Sequence, residues 1–446
     1  MCSKSSCKRR GQYFAAFAVS LGGFCTGCSL AWSSPALDYL MTPQNGTDPN
    51  KIQLSLAEEA TIGGLLPLGA LFLAIPAGKL ADVCGRKIVL HLLSLLCIAG
   101  WLVIGFAGNV LTIMTGRFLS GITVGGFCVV CPMYIGEIAD EKNRGFLGTW
   151  FGLILGLGIV YTSFLGTFTA WTGLHVGLGI PSVILAALLF FIPETPAFLF
   201  QNDKRDKAKE ALSFLQRADA DTNNSEGGEA HAAETGTFAD LFRRKFYRRS
   251  LTAGAGVFFL QQFCGVNVIV FFTVSIFKAS GLSVPPAVAS ISVNSFALFC
   301  NIVSTCIIDR KGRKFFLNVS SFSMSVGMLS LGVFFHLKHH FELTGLVKLL
   351  PILSTLLFMG GFAFGYGPVP WILISELYPV EVRGIASGLM CTINWASCFL
   401  ITFLYPILME YLGSYYTFYL YGAINVLGGV FIWMVLPETK NNRIKQ

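Results

Sequence analysis

Charged residues are scarce in this sequence. Asp, Glu, Lys and Arg make up 13% of its 446 residues, whereas apolar residues make up 54% and the mean hydropathy is +0.65. Soluble domains carry about 25% charged residues, so roughly half of the charge that covers a water-exposed surface is missing. The scarcity argues against a soluble protein and favours one whose solvent is lipid.

Charge is also absent from long continuous stretches. A bilayer core about 30 Å thick needs about 20 apolar residues per helix. Eleven runs of about that length or more contain no Asp, Glu, Lys or Arg: 11–37, 60–78, 88–116, 118–136, 145–193, 250–277, 279–308, 315–337, 349–375, 384–409 and 411–437. The run 145–193 is long enough for two crossings separated by the polar stretch 169–173. The sequence therefore predicts an all-α membrane protein with twelve spans, since backbone groups in lipid must be satisfied within their own helix.

The basic residues predict how the spans are oriented. Lys and Arg cluster before span 1, in the central segment 194–249 and in loops such as 86–87 and 310–314, and basic loops stay in the cytosol. We expect a multi-pass cell-membrane protein with both termini in the cytosol. The residues do not distinguish the plasma membrane from an endosomal membrane. This topology accounts for the net charge of +8 without a nucleic-acid partner.

Three loop motifs occur twice in the same order, which predicts a duplication. Asp82 and Asp309 each begin the pattern D-x-x-G-R-K; Glu137 and Glu376 are each followed seven residues later by Arg-Gly; and Pro-Glu-Thr follows spans 6 and 12. The predicted organisation is a cytosolic N-terminus 1–10, a six-helix bundle 11–193, a central cytosolic loop 194–249 with short helices and a linker, a six-helix bundle 250–437, and a cytosolic tail 438–446. Two parallel halves are the major facilitator arrangement, with the binding site expected between them.

These motifs resemble those of the sugar porter family of the major facilitator superfamily. The resemblance rests on Gly85-Arg86-Lys87, Gly116-Arg117, Pro132-Met133-Tyr134 with Glu137, Pro193-Glu194-Thr195-Pro196, Gln261-Gln262 with Gly265 and Asn267, Gly367-Pro368-Val369-Pro370-Trp371, Asn394-Trp395 and Pro437-Glu438-Thr439-Lys440. The segment 32–37, Trp-Ser-Ser-Pro-Ala-Leu, is most similar to the branch that contains insect facilitated trehalose transporters and related animal glucose facilitators. The resemblance implies a sugar transporter that needs no cofactor and functions as a monomer.

Uncharged amides suit a sugar, because Asn and Gln donate and accept hydrogen bonds without a charge to desolvate, and an aromatic face packs on the ring. The candidate sugar-binding residues are Gln261, Gln262, Asn267, Asn294, Trp371 and Asn394. On a continuous helix Gln261 and Asn267 would lie about 120° apart and flank one cavity. The alternative role of such amides is hydrogen bonding between helices.

The sequence departs from the family at three amide positions. Counting from Arg144 and Asp309, the expected amides fall on Gly152 and Ala297, and a third falls on Cys398. The smaller side chains put a standard glucose site in doubt and leave room for a disaccharide. Phe271 and Phe272 replace the family's tyrosines, which favours an apolar outer gate or a packing role.

The charged motifs predict a gate at the cytosolic ends of the spans. The candidate gating residues are Arg86, Glu137, Arg144, Glu194, Arg313, Glu376 and Arg383. We expect ion pairs between the halves to close this side, and their rupture to accompany rocking of one bundle on the other.

No uncharged run contains an acid, although a proton symporter needs a titratable group within the membrane. We therefore expect facilitated diffusion of trehalose or a glucose-type hexose. The alternatives are a proton-coupled sugar or polyol symporter and a non-transporting sugar sensor.

No nucleophile–base pair or metal-ligand spacing indicates an enzyme or a metal site. Asn45, in Asn-Gly-Thr of the first outer loop, is a predicted glycosylation site.

Overall fold

The computed structural model describes residues 10–41, 52, 54–215, 245–282, 284–308, 311–378 and 380–438. Helices are the only regular elements within these ranges. They are α1 Arg10–Ala31, α2 Ser33–Met41, α3 Leu56–Cys84, α4 Arg86–Gly105, α5 Val110–Ile138, α6 Glu141–Phe168, α7 Trp171–Phe190, α8 Pro196–Gln201, α9 Arg205–Leu215, α10 Lys245–Phe263, α11 Val266–Ser280, α12 Pro286–Ile307, α13 Arg313–His340, α14 Leu350–Phe364, α15 Val369–Leu377, α16 Val380–Tyr411 and α17 Ser414–Val435, with a 3₁₀ turn at Gly345–Leu349.

The predicted twelve spans are confirmed. Twelve stretches of described helix are long and apolar enough to cross a membrane. Span 1 consists of α1 and α2, span 7 of α10 and α11, and span 10 of α14 and α15, whereas each of the other spans is a single helix. The long run 145–193 divides between α6 and α7, as the polar stretch within it predicts.

Local sequence explains several helix ends. Asn109 precedes α5 and accepts a hydrogen bond from the Thr112 backbone N–H at 2.9 Å. Thr195 does the same for the Phe198 N–H at the start of α8, where Pro196 occupies the first position. Side-chain acceptors satisfy the N–H groups that a helix start leaves unpaired, and proline lacks such a group. Both helices therefore begin where their capping residues place them.

The described residues belong to two compact units. The first unit lies within Met1–Ser29, Gly69–Thr162 and Ala170–Ala233, and the second within Leu30–Leu68, Ser163–Thr169 and Glu234–Gln446. The second unit therefore combines spans 7 to 12 with the adjoining ends of spans 1, 2 and 5. We call the span ends that carry Asp38 and Lys278 the Asp38 end. In each half taken by itself, the span ends that carry Arg86 or its counterpart Arg313 are called the Arg86 end.

Candidate functional site

Span 7 is broken within its polar motif. Between α10 and α11, Gly265 takes a left-handed conformation with φ 95° and ψ 14°. Side chains with a Cβ rarely adopt this conformation, so glycine permits the break. The 120° separation expected for Gln261 and Asn267 is therefore wrong, because it assumed a continuous helix.

The break allows three of the predicted amides to form one hydrogen-bonded chain. Asn267 Nδ2 donates to Gln262 Oε1, and Gln262 Nε2 donates to Asn394 Oδ1 of span 11 at 2.6 Å. A continuous helix would separate Gln262 and Asn267 by about 140° around its axis and by about 7.5 Å along it. The left-handed turn at Gly265 makes their contact possible. We call Gln262, Asn267 and Asn394 the amide chain.

Gln261 connects span 7 to the interruption in span 10. Its Nε2 donates to the Tyr366 carbonyl at 2.6 Å, between the end of α14 and the start of α15. Pro368 and Pro370 lack a backbone N–H, so the helix is interrupted here as the prolines predict. Gln261 is 3% exposed, and its Oε1 has no hydrogen-bond partner among the described residues.

Trp371 and Asn294 lie outside the amide chain. The Trp371 side chain is 40% exposed and packs edge-to-face on Phe258, with ring centroids 5.0 Å apart. Asn294 of span 8 is buried, and its Nδ2 donates to Ser163 Oγ at the end of span 5 at 2.8 Å. Trp371 thus keeps aromatic surface accessible, whereas the amide nitrogen of Asn294 is engaged with another span.

The three positions without the family's amides differ in their surroundings. Cys398 Sγ accepts from Asn267 Nδ2 at 3.1 Å, so a thiol contacts the amide chain where an amide was expected. A Cβ placed on Gly152 would meet nothing within 4 Å. Ala297 is half-buried. Span 5 therefore faces open space at Gly152, whereas Cys398 is packed.

Sequence reasoning missed Asn425 of span 12 and the backbone carbonyl of Tyr366. Asn425 is 2% exposed, and its Nδ2 donates to the Cys264 carbonyl at the break in span 7 at 3.0 Å. A signal for Asn425 was present, because it is the single Asn or Gln in the run 411–437. No sequence pattern marks which backbone carbonyl an amide will bind.

The charged motif of the first half forms a compact cluster at the Arg86 end. Arg86, which is 4% exposed, lies 2.9 Å from Glu137 and 2.8 Å from Asp82. The Lys87 backbone N–H donates to Glu194 Oε2 at 3.0 Å. Burial raises the pKa of the Glu194 carboxyl above its ordinary value, while hydrogen bonds from the Thr195 and Lys87 N–H groups oppose this shift.

The second half repeats these contacts. Arg313 Nε donates to Glu376 Oε1 at 3.0 Å, and the Arg313 backbone N–H donates to Glu438 Oε1 at 3.0 Å. Arg86 and Arg313 each also donate from Nη1 to the carbonyl five residues earlier, at 3.2 and 3.1 Å. The duplicated sequence motifs therefore build duplicated contacts.

These ion pairs join spans of the same half, whereas the sequence suggested pairs between halves. Of the remaining candidates, Arg144 is exposed. The side chain of Arg383 and the glycosylation candidate Asn45 lie outside the described residues. Pairing between the halves stays a prediction.

Within the second unit, α11 contacts spans 1 and 11 at the Asp38 end. Phe272 is 1% exposed, has non-helical φ −125° and ψ 15°, and packs on Tyr405 with ring centroids 4.7 Å apart. Near this kink the Val274 N–H donates to Ser34 Oγ of α2 at 3.1 Å. Lys278 Nζ lies 3.0 Å from Asp38 Oδ1. The Val274–Ser34 hydrogen bond and the Lys278–Asp38 ion pair therefore connect α11 with α2.

The amides and the indole can bind an uncharged, hydroxyl-rich molecule. Amides supply donors and acceptors together, and no carboxylate or ammonium must lose its water for the contact. Within the described ranges no three His, Cys, Asp or Glu residues are arranged to hold a metal ion. The candidate residues therefore offer neutral donors, neutral acceptors and an aromatic face.

Comparison with known proteins agrees with this chemistry. A sequence model of the family described as "Sugar (and other) transporter" matches residues 13–446. The chain is 32% identical to the facilitated trehalose transporter Tret1 of Apis mellifera ligustica, covering 98% of this chain and 87% of that protein. It is 33% identical to the sugar transporter ERD6-like 7 of Arabidopsis thaliana, covering 97% and 92% of the two chains.

The fold also matches a solved structure. The xylose transporter XylE from E. coli, in a partially occluded inward-open conformation, superposes with a TM-score of 0.80 over 96% of this chain and 99% of that chain, at 22% identity. XylE is described as a protein of the major facilitator superfamily. The chain therefore belongs to the sugar transporter family and has the twelve-span fold of the major facilitator superfamily.

Proposed function

We propose that the protein moves a neutral sugar, trehalose or a glucose-type hexose, down its concentration gradient by alternating access. The observation that carries the proposal is the uncharged amide chain of Gln262, Asn267 and Asn394, with Gln261 bound to the interruption of span 10. These groups match sugar hydroxyls, and the accessible face of Trp371 matches the apolar side of a sugar ring.

A disaccharide is favoured over a single hexose by the loss of side-chain volume in span 5. Nothing lies within 4 Å of a Cβ placed on Gly152, where many glucose facilitators carry a glutamine. The name of the Apis mellifera ligustica relative, a facilitated trehalose transporter, supports the same choice. We therefore rank trehalose before glucose.

The positions of the Asp and Glu residues favour transport that is not coupled to an ion. The eleven uncharged runs contain no Asp or Glu, and Glu137 and Glu376 stand next to the last residues of α5 and α15. Proton routes through membranes require a titratable group within the hydrocarbon. XylE is a proton:xylose symporter. At 22% identity its similarity to this chain supports a common fold and not a common mode of transport. The alternatives remain proton-coupled sugar or polyol symport and sugar sensing without transport.

The ends of the spans suggest how access alternates. The Arg86–Glu137 and Arg313–Glu376 pairs would hold the spans of each half together while the halves rock. Opening of the Asp38 end requires that α11 lose its contacts with Ser34 and Asp38. Arg144 and Arg383 stay our candidates for pairs that form between the halves in the alternate conformation.

The test is transport by purified protein in proteoliposomes. Radiolabelled trehalose, glucose, fructose and inositol are offered singly, with a protonophore present or absent. We expect trehalose uptake that stops at equal concentrations inside and outside, shows counterflow and ignores the protonophore. Uptake abolished by the protonophore would establish symport, and Glu59 in the first turn of α3 would then be the acid to replace by Gln. Binding of a sugar without any counterflow would establish a sensor.

A further inference from the structure

The break in span 7 leaves backbone carbonyls at the end of α10 that a continuous helix would satisfy itself. In such a helix the Cys264 carbonyl would accept from the Val268 N–H four residues later. At the break the Gly265 N–H donates instead to the Gln262 carbonyl at 3.2 Å, and the Cys264 thiol donates to the Gln261 carbonyl at 2.9 Å. The Cys264 carbonyl needs a donor from elsewhere, because hydrocarbon supplies none.

Asn425 of span 12 supplies that donor. Its Nδ2 donates to the Cys264 carbonyl at 3.0 Å and to the Tyr421 carbonyl of its own helix at 2.8 Å. An amide nitrogen carries two hydrogens, so both are used on carbonyl oxygens and the orientation of the amide is fixed. The side chain is 2% exposed, so water does not replace it.

We propose that Asn425 is a positioning residue for sugar binding, which holds the break in span 7 and thereby sets Asn267 against Gln262. The inference rests on the proposed sugar-binding function of the amide chain. Without this donor the Cys264 carbonyl regains its partner when α10 and α11 join into one helix. Asn267 then turns about 140° away from Gln262, and the amide chain loses its first member.

A double-mutant cycle tests whether Asn425 acts through Asn267. Equilibrium binding of radiolabelled trehalose to purified protein is measured for Asn425→Leu, Asn267→Ala and the double variant. Leucine has about the size of asparagine but no donor. We expect each single variant to weaken binding about tenfold, as for one lost hydrogen bond, and the double variant to weaken it no further. The proposal is overturned if the losses of the two single variants multiply in the double variant. It is also overturned if Asn425→Leu binds trehalose as tightly as the unmodified protein.

The matched control is Asn318→Leu. Asn318 is a half-buried amide on span 9 whose Nδ2 donates to the Lys314 carbonyl of its own helix at 2.8 Å. Replacing Asn318 by leucine also removes an amide donor, but it leaves the contacts at the break in span 7 unchanged. Binding within twofold of the unmodified protein is expected, and an equal loss in the control would show a general effect of removing amides from spans.

A second readout does not depend on the sugar. Cys264 is 1% exposed and its thiol is engaged at the break. Alkylation by a small maleimide, located by mass spectrometry, should be faster at Cys264 in Asn425→Leu than in Asn318→Leu. Equal rates would overturn the proposal even if trehalose proved not to be the substrate. If the leucine variant does not fold, Asn425→Ser, which keeps one donor, is measured in the same way and should show a smaller change in the same direction.

Discussion

The two halves of the chain are alike at the Arg86 end and different in their first spans. Arg86 and Arg313 make the same contacts with their own halves. Span 1, like span 7, is divided into two helices, but Gln12 is its single Asn or Gln, whereas span 7 has a left-handed glycine at its break and carries three amides within seven residues. The duplication therefore kept the contacts of the two arginines, whereas the candidate sugar-binding residues all lie in the second copy.

The largest effect should come from Gln262→Leu. Gln262 both accepts from Asn267 and donates to Asn394, so the variant removes one hydrogen bond from the buried Asn394 and one from the half-buried Asn267, which keeps its contact with Cys398. At about 1–1.5 kcal/mol for each lost hydrogen bond, trehalose binding should weaken about a hundredfold. Binding to purified protein measures the change.

The control for this prediction is a buried glutamine of span 1. Gln12 is fully buried, and its Nε2 donates to the Ile138 carbonyl at 2.9 Å. Gln12→Leu should lower thermal stability while binding stays within about twofold, since one lost hydrogen bond contributes about 1 kcal/mol to folding. Comparable losses of binding in both variants would break the contrast between spans 1 and 7.

Gly265→Ala should have the next largest effect. A left-handed conformation costs a residue with a Cβ about 1–2 kcal/mol, and a Cβ here would lie 3.0 Å from Met328 Cε. We expect a lower melting temperature and about tenfold weaker trehalose binding. Gly152→Ala is the matched control, because nothing would contact its Cβ; it should keep or raise the melting temperature. If the melting temperature and the trehalose binding of Gly265→Ala are unchanged, sugar binding does not need the break.

The likeness of the two Arg86-end clusters is tested by Arg86→Lys and Arg313→Lys. Lysine cannot reproduce the fork of donors that arginine offers. Arg86 is more buried than Arg313, with 4% against 12% of the side chain exposed. We expect about fivefold slower uptake for Arg86→Lys, the equivalent of about 1 kcal/mol, and a smaller loss for Arg313→Lys. Uptake is normalised to protein at the cell surface, and the reverse order would contradict the comparison.

The smallest effect should come from Asp38→Asn. The Lys278–Asp38 pair is partly exposed, with 51% and 28% of the two side chains accessible, and such pairs contribute about 0.2–1 kcal/mol. We expect about a twofold change in the apparent affinity for external sugar, which fades at high salt because ions screen the pair. Asp203→Asn, which removes an almost fully exposed pair with Arg205, should change nothing. A salt-independent effect of Asp38→Asn would point to a different role for Asp38.

The number of spans could be read from the sequence because a membrane imposes length and excludes charge. The involvement of Gln261, Gln262, Asn267 and Asn394 in a polar cluster was also predictable, since amides are conspicuous within apolar runs. The break at Gly265 was not, because glycine is common inside spans and hydrophobic periodicity continues across it. The contact of Asn425 depends on how span 12 packs on that break, which no local pattern encodes.

The left-handed turn at Gly265 also has an electrostatic consequence. Helix α10 ends and α11 begins there, so the negative pole of one helix dipole and the positive pole of another meet in the middle of span 7. Such poles carry fractions of a charge and remain on the backbone at any pH. They supply a fixed field that orients a hydroxyl dipole without attracting a counter-ion. Span 7 can thereby be strongly polar inside the membrane while carrying no Asp, Glu, Lys or Arg at the site.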